Sequence, residues 1–307
     1  MLLVSPDELA SNRLAELTGE RWAHELLAEE VLLERLAGWT TSGRRGLLVS
    51  YEGFAPLLAT GLVGHIKQRR LEGAQGLPSL NLLLTSYGWH NVYTHGDPSL
   101  ATTLLGLGAP SVRVLTPADP ARTAEALDEA LDSVDRVNLI IAGKHIRTTH
   151  PTGTLAEEQR QGLAVWPHLS DDDEPDLVIV AAGDIPAVVA AEAAERVRER
   201  HQCRVRVVNL LDLAVLGAPH VWPQGLSSPK VEGYLGANAA VLVLTLGHPA
   251  AVWGLLAGRL RRPVDVIGWQ EPVGPMPQRD LAHMMGMDVA GVERAADRLL
   301  ARHEVVL

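Results

Sequence analysis

Short runs of uninterrupted Leu, Ile, Val and Ala recur along the chain. Each is followed by a Gly- or Asp-bearing turn, and most turns lead into an Ala-rich amphipathic stretch. A strand apolar at every position has to be covered on both faces. Strands of that kind alternating with helices predict an α/β fold with parallel sheets sandwiched between helices. "RRGLLVSYEGFAPLLATGLVGHIKQRR" (44–70) reads as strand, turn and helix, and "LNLLLTSYGW", "SVRVLTPAD" and "RVNLIIAGK" as further strands. The segment "TGTLAEEQRQGLAVWPHLSDDDEPD" (152–176) is polar and reads as a solvated linker. The theme then restarts with "LVIVAAGD", "RVRVVNLLDL", "AVLVLTLG" and "VDVIGW" as strands, with helices at "IPAVVAAEAAERVRERH" and "VAGVERAADRLLARH". Two Rossmann-like α/β domains are expected, over 1–165 and 172–307.

Composition removes several classes of function. The formal net charge of -10 disfavours a nucleic-acid partner, which needs a basic face. The longest apolar window, 239–258, is interrupted by His248 and Pro249, so a buried strand and helix are expected there and no membrane span. The lone Cys203 cannot form an internal disulfide and fits a reducing, cytoplasmic setting. The opening "MLLVSPDELASNRL" lacks the apolar core of a signal peptide.

One stretch carries chemistry. "WHNVYTHGDP" (89–98) places His90, Asn91 and His95 just after an apolar strand. Two histidines without a third ligand at a regular spacing do not make a metal site, and none is expected. "GLG" at 106–108 lacks the rest of a dinucleotide fingerprint, and no nucleophile elbow, phosphate loop or zinc-protease motif is present. Residue chemistry alone stops at an α/β protein with a polar cluster at a strand end.

The ordered words "SPDELASNRL" (5–14), "GRRGLLVSYEGF" (43–54), "SLNLLLTS" (79–86), "WHNVYTHGDP" and "VNLIIAGK" (137–144) resemble the C-terminal part of the phosphoketolases, thiamine-diphosphate-dependent relatives of transketolase. "AAGDIPAVVAAEAA" (181–194) and "VRVVNLLDL" (205–213) continue the resemblance. It implies a pyrimidine-binding domain followed by a transketolase-type C-terminal domain. The diphosphate-binding domain of that family, with its Gly-Asp-Gly segment and Asn, has no counterpart here. The implied protein is therefore one subunit of a split enzyme that cleaves a ketose or ketose phosphate and transfers a two-carbon unit. A partner subunit would hold Mg2+ and the diphosphate, and an α2β2 heterotetramer is expected. The alternative is a non-catalytic regulatory or interaction subunit of the same fold.

The resemblance also implies roles for residues. A carboxyl that exchanges a proton with the aminopyrimidine in a dry pocket falls on Glu29, with Glu30 one position away. Phe54, the single phenylalanine, matches the ring that stacks on the pyrimidine, and Tyr51 an active-site tyrosine. His90, Asn91 and His95 match residues lining the substrate funnel, and Ser11 and Lys144 match phosphate contacts. Two departures stand out. The stretch that supplies a phosphate-binding arginine is shortened to "LEGAQGLP" (71–78), and Gly88 stands where the family has a glutamine. Both point to a less charged or differently shaped acceptor.

Overall fold

The computed structural model describes residues 1–90, 95–145 and 147–306, in two compact units. The first comprises Met1–Leu115 and Arg122–Arg147. Its strands are β1 (Leu2–Ser5), β2 (Ala23–Glu25), β3 (Gly46–Tyr51), β4 (Leu80–Ser86), β5 (Val112–Leu115) and β6 (Val137–Ile141). They pair in the order β2-β1-β3-β4-β6-β5, and every pairing is parallel. The helices are α1 (Glu29–Thr41), α2 (Ala59–Glu72), α3 (Ser99–Gly106) and α4 (Pro120–Asp132). In α1 the buried residues Leu32, Leu33, Leu36, Ala37 and Thr40 recur at helical spacing, which gives one apolar stripe towards the core.

The strands carry apolar side chains on both faces, as a sheet sandwiched between helices requires, with polar exceptions that pair with each other. Asn81 on β4 and Asn138 on β6 stand opposite in register. Asn138 Nδ2 donates to Asn81 Oδ1 at 2.8 Å, and Asn81 Nδ2 donates to the Gly46 carbonyl at 3.2 Å. This ladder satisfies both amide nitrogens and Asn81 Oδ1, which would otherwise be costly inside a sheet, and leaves Asn138 Oδ1 without a partner among the described residues.

The second unit comprises Thr116–Ala121 and Thr148–Leu307. It contains α5 (Leu155–Gln161), β7 (Leu163–Val165), β8 (Leu177–Ala182), α6 (Asp184–His201) and β9 (Val205–Leu210). Then come α7 (Ser228–Leu235), β10 (Ala240–Thr245), α8 (Pro249–Leu256), β11 (Val264–Ile267), α9 (Gln278–Met285) and α10 (Val289–Val306). The sheet order is β11-β10-β8-β9-β7, parallel except for β7, which runs antiparallel to β9.

One expectation changes. Along the chain, the second unit takes in Thr116–Ala121 and everything from Thr148. The polar stretch 152–176 is built into the second unit and is not a free linker. It forms α5 and β7, and Gly162 ends α5 in the left-handed region at φ 78°. Its acidic run also has partners: Asp171 accepts from Arg198 Nε at 2.9 Å, and Glu174 from the Ala237 N–H at 2.9 Å. Among the described residues no helix is long and apolar enough to cross a membrane.

Candidate active site

In the first unit, four neighbouring parallel strands, β1, β3, β4 and β6, end on the same side of the sheet. The segments that leave these ends carry most of the residues singled out from the sequence. Such carboxyl ends are where open α/β sheets bind ligands.

The segment after β1 brings Asp7 and Ser11. Asp7 Oδ2 accepts from Ser50 Oγ at 3.0 Å and from the Tyr51 N–H at 3.1 Å, which ties it to the end of β3. Burial pushes its carboxyl above the usual range, against the pull of those two bonds and of the nearby His95 and Lys144. Ser11 Oγ donates to the Glu8 carbonyl at 2.7 Å. The Ser11 carbonyl accepts from Lys144 Nζ at 2.7 Å, so the two expected phosphate contacts do lie together. Lys144 follows β6, and its ammonium sits 4.7 Å from the centre of the Tyr51 ring. Burial and the Arg13 charge lower its pKa, while Asp7 opposes them.

At the end of β3, Tyr51 and Phe54 stack with ring centres 6.2 Å apart. His95 meets both edge-on, at 6.1 Å from Tyr51 and 5.2 Å from Phe54. These three rings form an aromatic wall of the kind on which a flat heterocycle packs. Past β4, His90 lies against Tyr87 at 5.3 Å and His145 at 4.3 Å between ring centres. Arg147 Nη2 is 2.9 Å from His90 Nε2. A guanidinium can only donate, so this nitrogen accepts and the ring proton sits on Nδ1. Asn91 lies outside the described residues.

Three residues of this cluster carry no signal in the sequence reading: Asp7, Arg147 and Glu52. Glu52 stands between Tyr51 and Phe54 with only 2% of its surface exposed. Burial raises its carboxyl to about 8, the Gly88 N–H pulls the other way, and Asp97 adds to the rise. Its Oε2 accepts from the Gly88 N–H at 3.2 Å, while Oε1 is buried without a hydrogen-bond partner among the described residues. Glu29 presents a different setting. It opens α1, half-exposed, where the helix N-terminus favours negative charge, and this chain alone gives it no dry pocket. Of Arg69 and Arg70, the two arginines just upstream of the shortened stretch, Arg69 is committed to Asp135 at 2.6 Å and Glu72 at 3.1 Å.

The cluster offers ring-stacking and polar groups, and among the described residues no group of three or more His, Cys, Asp or Glu could hold a metal ion.

Residues 16–133 match the family described as D-xylulose 5-phosphate/D-fructose 6-phosphate phosphoketolase, and residues 151–285 match its C-terminal domain. A probable phosphoketolase of Brucella suis is 33% identical over 287 residues, covering 84% of this chain and 36% of the relative. One from Streptomyces coelicolor is 33% identical over 278 residues, covering 80% and 35%. The chain thus spans about a third of the length of the phosphoketolases it matches. Among solved structures, a Pichia stipitis transketolase in complex with sedoheptulose 7-phosphate superposes with a TM-score of 0.73 at 16% identity, over 99% of this chain and 43% of that one. A split-gene transketolase, described as an inactive β4 tetramer, gives 0.67 at 19% identity, over 98% of this chain and 92% of that one. The fold is thus of the transketolase type, and the chain belongs to the phosphoketolase family, corresponding to the C-terminal part of its members.

Proposed function

We propose that the chain is the pyrimidine-binding and C-terminal subunit of a split thiamine-diphosphate enzyme that cleaves a ketose or its phosphate and transfers a two-carbon unit. The observation that carries this reading is the cluster on the ends of β1, β3, β4 and β6. It sets the wall of Tyr51, Phe54 and His95 beside the cation Lys144 and the Arg147-bound His90. When bound, the cofactor would supply a stabilised carbanion for breaking the carbon–carbon bond. Phe54 and Tyr51 would pack on its pyrimidine, and Glu29 would exchange a proton at the pyrimidine ring. His90, Asn91 and His95 would orient the ketose and move protons at its hydroxyls. Ser11 and Lys144 would hold an anionic end of the substrate. Mg2+ and the diphosphate would belong to a separate diphosphate-binding subunit in an α2β2 assembly. Two observations support a partner. Leu27 and Val31, on either side of Glu29, are 84% and 57% exposed, an apolar rim in need of a cover. The split-gene transketolase whose chain this one nearly matches in extent is described as inactive in its β4 form.

The test is calorimetric binding of thiamine diphosphate with Mg2+ to the chain alone and to the chain mixed with a diphosphate-domain subunit, followed by a ketose-cleavage assay. Tight binding and turnover only in the mixture are expected. Tight Mg2+-dependent binding by the chain alone would contradict the split reading. Assembly without any turnover would favour a regulatory subunit.

A further inference from the structure

Glu52, Gly53 and Phe54 are consecutive, and each touches a flank of the histidine-bearing segment. Glu52 accepts the Gly88 N–H, two residues before His90. Gly53 lies so close to the His95 main chain that a β-carbon there would come within 2.6 Å of its carbonyl carbon. Phe54 meets the His95 ring edge-on at 5.2 Å. The turn beyond Gly88 is held from within by buried Tyr87 and Trp89 and closed by the His90 N–H donating to the Tyr87 carbonyl at 3.0 Å. A shift of Gly88 therefore carries His90 with it.

We infer that Glu52 is a positioning residue of this site: its buried carboxyl clamps the Tyr87–His90 turn to the end of β3, and so sets where His90 and His95 stand relative to Tyr51 and Phe54. The assignment rests on the proposed reading only for what the histidines do; the clamp lies wholly within this chain.

The groups around the carboxyl decide its protonation. Asp97 acts on it from the segment before α3, where the His95 ring meets Phe54 instead. Asp7, on the Tyr51 N–H, is the next carboxyl along the strand end. Neither β4 nor α3 carries a titratable residue, and α1 and α2 turn only apolar side chains and Thr40 inward. No cation thus offsets the burial of Glu52 from those elements. The sign follows. Its folded value, about 8, lies above the ordinary 4.5, so the carboxyl is neutral at neutral pH and ionises as pH rises through about 8. Ionisation strengthens the bond from the Gly88 N–H, which favours the charged form, so the clamp draws tighter on the turn as pH rises through about 8 and the histidines shift with it.

The test is a pH titration of the full chain by NMR, with glycine and histidine labelled, on the unmodified protein, Glu52→Gln and Glu52→Ala. In the unmodified protein the Gly88 amide and the His90 and His95 rings are expected to share one step centred at about 8, additional to each ring's own titration. Glu52→Gln keeps an acceptor that cannot ionise, so the shared step vanishes and the signals stay at their low-pH positions. Glu52→Ala displaces both histidine signals at every pH; should it fail to fold, the Gln variant decides. Absence of a shared step, or its survival in Glu52→Gln, overturns the assignment. In the assembled enzyme, Glu52→Gln also removes the step near pH 8 from the pH profile of kcat/KM. A missing NMR step with turnover intact rejects the clamp and leaves the functional reading standing. A shared step in a complex without turnover does the reverse.

Discussion

At the scale of single residues, Gly53 is the position where the site tolerates least. Its missing β-carbon would lie 2.6 Å from both the carbonyl carbon and the oxygen of His95, and neither is a flexible side-chain end that can swing aside. Gly53→Ala is therefore expected to cost about 1–3 kcal/mol of stability through overpacking. It should also move the His95 ring off Phe54. A urea midpoint and the His95 ring signal check the two effects separately; an unshifted midpoint would mean that the 52–54 turn gives way freely. The site was legible in the sequence wherever a residue type is itself unusual. Phe54 is the chain's single phenylalanine, and His90 and His95 crowd one strand end. Glu52 lay inside the same quoted word as Tyr51 and Phe54, yet nothing in its type or spacing marks it. What sets it apart is the absence of solvent, and burial is a property of the fold. Arg147 escaped for a related reason: its partner His90 is 57 residues away.

At the scale of elements, the continuous apolar runs gave strand identity directly, because a two-faced buried strand leaves little other choice. The shortest strands did not show. β1 and β2 span four and three residues, and β7 three, too few for a period to register. β7 exists because it pairs with β9, more than 40 residues later, and Leu163, Ala164 and Val165 face Leu210, Asn209 and Val208 there. A tertiary partner thus overrode a locally polar context. The Asn81–Asn138 ladder between β4 and β6 makes a testable case of the same dependence. Asn138→Ala removes the donor to Asn81 Oδ1, bonded at 2.8 Å, and strands that oxygen inside the sheet; Ser133 Oγ, which loses a 3.0 Å bond, keeps its bonds to Ser79 and the Ala130 carbonyl. A loss of about 1–3 kcal/mol in urea unfolding is expected. Adding Asn81→Leu to Asn138→Leu should recover part of that loss, since two facing apolar groups need no partner. A double variant no better than the sum of the singles would show that the Asn81 bond to the Gly46 carbonyl matters more.

At the scale of the whole molecule, the question is where a proton-exchanging carboxyl could be kept dry. The split reading assigns that role to Glu29, although the residue opens α1 half-exposed. Two facts reconcile them. The chain spans about a third of the length of the phosphoketolases it matches, and the residues beside Glu29 are exposed and apolar, Leu27 at 84% and Val31 at 57%. A partner surface seated on that rim would remove water from Glu29 and supply the burial that raises a carboxyl. Assembly and chemistry should then separate by mutation. Leu27→Asp places a charge in the rim and is expected to weaken assembly with the diphosphate-binding subunit at least about tenfold, since an unpaired buried charge costs more than 1.4 kcal/mol. Glu29→Gln keeps the shape and apolar neighbours, so assembly and cofactor binding should persist while turnover falls about 100-fold or more, as for a lost acid–base group. Analytical ultracentrifugation and a ketose-cleavage assay read the two effects independently. Near-normal turnover in Glu29→Gln would remove it from the chemistry and turn attention to Glu30, one position along the same helix. Unchanged assembly in Leu27→Asp would place the partner elsewhere, and Glu29 would then lack the cover that its role requires.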